Sequence, residues 1–144
     1  MIPPFDADGD LPEGVYRAEW AECQERFCVF ARSEQRLRLC QRIAQMIEDA
    51  RASRIVERLL FGGSFVTSRA EPHDFDCIIV LKTTVHYEEL QPSQRWIADT
   101  REASRRYHGD VFVTRADHPT LAIYMEFFAM NRRGKRVGLM EVML

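Results

Sequence analysis

An α/β (α+β) fold is predicted by three features of this chain: two short apolar runs beside glycines and aspartates, helical periodicity on either side of them, and an element order of helix, strand, strand, helix, strand. The 144 residues, 46% hydrophobic and 29% charged, suffice for one domain, 1–144, with a buried core.

Residues 1–17 place Pro3, Pro4, Gly9, Pro12 and Gly14 among acidic positions, a composition that disfavours helix and ladder hydrogen bonding. They read as an extended N-terminal arm laid over the domain by Ile2, Phe5, Leu11, Val15 and Tyr16. Trp20, Cys23 and Phe27 recur at helical spacing. Ser33 caps a second helix over 34–51, whose predicted stripe is Leu37, Cys40, Ile43, Ala44, Ile47 and Ala50. Arg54–Phe61 turns to a short apolar run ended by Gly62 and Gly63, which predicts a buried strand and a sharp turn.

Phe75–Lys82 predicts a second strand, and 83–92 a connection. From Ser93, Trp96, Ile97, Thr100, Ala103 and Tyr107 mark an amphipathic helix stopped by Gly109, with a third strand over Asp110–Thr114. Pro119 opens a helix bearing Leu121, Tyr124, Met125 and Phe128 on one face. Residues 132–135 read as a turn, and Val137–Leu144 as a closing strand at a sheet edge.

A formal net charge of −2 argues against a uniformly basic nucleic-acid coat. Local patches remain at Arg101, Arg105 and Arg106, and at Arg132, Arg133, Lys135 and Arg136, to be read as solvated surface or as anion contacts. No apolar run approaches the roughly 20 residues of a membrane span, and no signal core opens the chain, so a cytoplasmic protein without a membrane partner is expected. Cys23, Cys28, Cys40 and Cys77 lack paired spacing and are expected to be reduced.

The chemistry concentrates between Gly62 and Asp76. Gly63 and Ser64 end a buried strand, where backbone N–H groups can face an anion; Ser64 and Thr67 offer hydroxyls to a phosphate. Asp74 and Asp76, two residues apart on a strand, project from one face. Two carboxylates side by side call for a compensating cation, and Mg²⁺ or Mn²⁺ suits carboxylates combined with phosphates. Asp110 opens the next strand and completes a three-carboxylate metal site if that strand lies alongside. His73 and His108 are expected in loops without catalytic duty, and Cys77, on the opposite strand face from Asp76, in the core.

Gly63-Ser64, nine intervening residues, then Asp74-Phe75-Asp76 resembles the signature of the DNA polymerase β-like nucleotidyltransferase superfamily, particularly its minimal nucleotidyltransferases. The opening Met1-Ile2-Pro3-Pro4-Phe5, the run Gly63–Ser68, Phe127-Phe128 and Gly134-Lys135 look like small bacterial proteins of that superfamily. The resemblance implies a nucleotidyltransferase fold with a mixed central sheet flanked by helices. It implies metal ligation by Asp74, Asp76 and Asp110, nucleotide binding at Gly63, Ser64 and Thr67, and transfer of a nucleoside monophosphate from a nucleoside triphosphate such as ATP. The acceptor would be a hydroxyl of RNA, protein or a small molecule. Some relatives serve toxin–antitoxin or defence systems with a partner protein encoded nearby. The alternative expectation is an inactive nucleotidyltransferase-like module that binds and regulates a partner protein or RNA.

Overall fold

The computed structural model describes residues 1–29 and 32–144. In chain order the elements are β1 (Gly14–Ala18), α1 (Trp20–Phe27), α2 (Glu34–Ser53), β2 (Val56–Gly62), β3 (Asp76–Leu81), α3 (Pro92–Arg95), α4 (Thr100–Tyr107), β4 (Asp110–Arg115), α5 (Thr120–Phe128) and β5 (Gly138–Val142). Single 3-10 turns occupy Gly63–Val66 and Tyr87–Glu89.

The five strands form one mixed sheet in the order β1-β5-β2-β3-β4. The outer pairs β1/β5 and β3/β4 are parallel, and β2 runs antiparallel to both β3 and β5. Side-chain alternation divides the core between the faces. Cys77, Ile79 and Leu81 join the larger cluster with Leu39, Ile43 and Ile47 of α2, whereas Ile78 and Val80 meet Phe128 of α5, Leu60 and Leu139. The end of β2, the starts of β3, β4 and β5, and the end of α5 therefore gather at one end of the sheet.

Most elements appear where periodicity places them, with instructive shifts. Residues 14–17 of the expected arm, together with Ala18, pair with β5 as an edge strand, because an edge needs partners on only one side. That pairing puts β5 inside the sheet and not at its edge, and all five of its residues are buried. The buried face of α2 is Arg36, Leu39, Cys40, Ile43, Met46, Ile47 and Ala50; Leu37 points outward.

The single helix expected from Ser93 to Tyr107 is broken into α3 and α4. The Asp99 side chain accepts from the Glu102 N–H and starts α4 afresh. His108, at φ 55°, takes the left-handed position that ends α4, a place the sequence suggested for Gly109. Gly109 serves another need: a Cβ there would lie 2.7 Å from the Phe75 ring.

Cys28 and Cys40 form a disulfide that joins the end of α1 to α2, against the expectation that all four cysteines are reduced. Packing of α1 against α2 brings together two residues whose separation of 12 carries no paired motif. Cys23 and Cys77 are free and buried, the latter as expected. Among the described residues, no helix is long and apolar enough to cross a membrane.

Candidate metal centre

Parallel pairing of β3 with β4 sets Asp76 directly against Asp110, and the Asp110 N–H donates to the Phe75 carbonyl at 3.0 Å. The register depends on Phe75, whose fully buried ring occupies the space that Gly109 leaves open. Asp76 shares its strand face with Ile78, and Asp110 shares its own with Phe112, so both carboxylates lie on the α5 side of the sheet. With Asp74 they form a triad in which one carboxylate oxygen from each residue lies within 4.8 Å of the other two. Asp74 and Asp76 are half-buried and Asp110 is exposed, so the cluster opens to solvent on one side.

Among the described residues, no hydrogen bond or ion pair reaches these three side chains. The electrostatic consequence is visible in the acidity of Asp76 and Asp74. Burial, followed by the charges of Asp74 and Asp110, pushes Asp76 up to about 7, and Arg132 offsets only part of this. Burial and Asp110 also raise Asp74, against the opposing pull of His73 and Arg132.

The glycine turn abuts the triad. Gly63 sits at φ +75°, in the left-handed region, and a Cβ on it would lie 2.2 Å from Asp76 Oδ2. Glycine is thus required twice, by the backbone and by the carboxylate. Ser64 is half-buried, and its hydroxyl has no hydrogen-bond partner among the described residues. Thr67 differs: its hydroxyl donates to the Ser64 carbonyl at 2.6 Å and accepts from the Arg69 N–H at 3.1 Å. The side chain expected to meet a phosphate instead closes the turn.

Two residues outside the expected set shape this region. Arg36 is fully buried in α2 and donates to the carbonyls of Phe27, Phe65, Thr67 and Arg69, bracing the chain that leaves the glycine turn. The signal in the sequence is its spacing, since Arg36 stands at i−3 and i−4 from Leu39 and Cys40 and so opens their buried face. Arg132 projects from the turn between α5 and β5, and its charge lowers both Asp74 and Asp76. That turn is fixed by Asn131, whose side chain accepts from the N–H groups of Arg133 and Lys135.

His73 is exposed, and its carbonyl accepts from the Gln35 amide at 2.9 Å; His108 is an exposed cap. Lys135 lies in a different cluster, its ammonium bonded to Asp6, Asp8 and Asp10 at 2.7, 2.9 and 3.1 Å.

The fold and the site thus define a mixed α+β protein with a three-carboxylate cluster beside a glycine turn. Over residues 3–143 the chain matches the model described as "Family of unknown function (DUF6932)", and it belongs to that family. No curated protein and no solved structure matches it.

Proposed function

We propose that this protein is a nucleotidyltransferase-fold enzyme that transfers a nucleoside monophosphate from a nucleoside triphosphate to an acceptor hydroxyl, using a divalent metal. The observation that carries this reading is the meeting of Asp74, Asp76 and Asp110 within 4.8 Å, with no Lys or Arg bonded to them among the described residues, beside Gly63 and Ser64.

The donor set fits Mg²⁺ or Mn²⁺: three hard oxygen ligands, with an open side for water and phosphate oxygens. Asp74, Asp76 and Asp110 would hold the ion, which when bound neutralises the triphosphate and lowers the cost of deprotonating the acceptor. Gly63 and Ser64 offer backbone N–H groups, and Ser64 a hydroxyl, to the phosphates. Arg132 adds positive charge on the same side. Asp110, the exposed member, accepts the proton of the incoming hydroxyl at its carboxylate oxygen. The acceptor oxygen bonds to the α-phosphorus as the α–β phosphoanhydride bond breaks, and pyrophosphate leaves.

Incubation with α-labelled nucleoside triphosphates, Mg²⁺ or Mn²⁺ and cell extract tests the reading. Label should appear on an acceptor of RNA, protein or small-molecule class, and Asp76→Ala should reduce it to background. Equal labelling by the folded Asp76→Ala protein would remove the mechanism. Nucleotide or partner binding without transfer by the wild type would favour a regulatory binding module.

A further inference from the structure

Away from the carboxylate triad, a cleft of about 400 Å³ opens between α2 and α4, lined by Arg38, Gln41, Arg42, Gln45, Arg106 and Tyr107. Arg38 and Arg42 stand four residues apart on one face of α2, where like charges cost helix stability. Arg106 faces them from α4, with its guanidinium stacked 4.0 Å from the centre of the Trp96 ring.

Little in the protein neutralises these three cations. Arg38 reaches Glu34 at 3.9 Å and Arg106 reaches Asp49 at 4.0 Å, both loose contacts, and Arg42 has no carboxylate within 4.0 Å among the described residues. Asp49 is otherwise engaged, since it accepts from Tyr107 at 2.6 Å and from Gln45 at 3.0 Å. The adjoining cleft, which shares Arg38, is also lined by Glu34 and Glu71, so the strongly basic stretch ends at Arg38.

We propose that the α2–α4 cleft binds phosphate groups, carried by the backbone of a single-stranded nucleic acid. Guanidinium forks suit phosphate oxygens, and the Gln41 amide supplies a neutral donor between Arg38 and Arg42. Arg38 and Arg42 are one helical turn apart, roughly 6 Å along the axis, a spacing that suits successive phosphates better than one small anion. Half-buried Trp96, already stacked with Arg106, places an aromatic ring beside the basic stretch, a combination that single strands exploit through base stacking. This site is separate from the carboxylate triad and does not depend on its activity.

Fluorescence anisotropy with a short labelled single-stranded RNA tests the proposal at low salt with EDTA present, so that the carboxylates repel the probe. Arg38→Gln/Arg42→Gln should weaken binding about tenfold or more and reduce the logarithmic salt slope by roughly 0.7 for each arginine removed. Arg105→Gln, on the same helix as Arg106 but paired with Glu102, should change neither, and Asp76→Ala should bind at least as well as the wild type. Arg38 is exposed and Arg42 half-buried, and neither belongs to the buried core, so the double variant should stay folded, with a melting temperature close to that of the wild type. Calorimetry with inorganic pyrophosphate separates the two sources of phosphate. Arginine-dependent binding of pyrophosphate but not RNA retains the phosphate site and assigns it a small anion. Wild-type protein that binds neither probe, or a folded double variant that binds both as the wild type does, overturns the proposal.

Discussion

The molecule holds two triads of aspartates with opposite fates. Asp6, Asp8 and Asp10 converge on the ammonium of Lys135, which bonds to all three and is itself held further toward its charged form. Asp74, Asp76 and Asp110 converge with comparable crowding but have no Lys or Arg partner bonded to them among the described residues, and Asp76 is driven up to about 7. The first triad is a clasp between the N-terminal segment and the turn before β5, with its charge balanced inside the fold. The second retains an electrostatic debt that an external cation can settle.

Arg36 extends the balanced side of this comparison. Its buried charge is matched by four carbonyl groups, so its role is in stability. Arg36→Met should cost about 3–5 kcal/mol in denaturant unfolding, because it leaves buried carbonyls around the glycine turn without their donor. A loss below about 1 kcal/mol would mean that water replaces the guanidinium and that the brace is unimportant.

Asp76 sharpens the unbalanced side. Its ordinary value near 3.8 rises to about 7 in the folded chain, so the folded state retains a proton that the unfolded chain releases between these values. The associated stability is fully present below about pH 4 and lost as pH rises through 7. Without metal, Asp76→Asn should therefore be more stable than the wild type at pH 8, by about 2–4 kcal/mol, with the advantage fading toward pH 4. Adding Mg²⁺ should stabilise the wild type and leave Asp76→Asn nearly unchanged. A variant less stable than the metal-free wild type at pH 8 would contradict the crowding of charge.

Much of this contrast is legible in the sequence. The alternation of Asp74 and Asp76 about Phe75 predicts a shared face, although β3 begins only at Asp76 and Asp74 joins the cluster from the segment just before it. Asp110 is legible as the start of the next strand, and the parallel pairing of β4 with β3 supplies the rest. The glycine turn is legible as well, although the need for Gly63 is clear only when Asp76 Oδ2 is seen 2.2 Å from the space a Cβ would take.

What the chain order hides is long-range pairing. The Asp6–Lys135 contact spans 129 residues, and the docking of β1 on β5 depends on strands from opposite ends of the chain. The Thr67 hydroxyl looked available because its local partner, the Ser64 carbonyl, is exposed as an acceptor only by the 3-10 turn. The arginine cleft was half visible: Arg106 stood in a noted cluster, but Arg38 and Arg42 meet it only once α2 packs beside α4.

A Mn²⁺ titration followed by electron paramagnetic resonance tests the difference between the triads most directly. Wild-type protein should remove free Mn²⁺ signal in a saturable way, Asp76→Asn should lose that binding, and Asp8→Asn should retain it. An absence of Mn²⁺ binding, or binding abolished by Asp8→Asn and preserved in Asp76→Asn, would contradict the assignment of the metal centre to Asp74, Asp76 and Asp110.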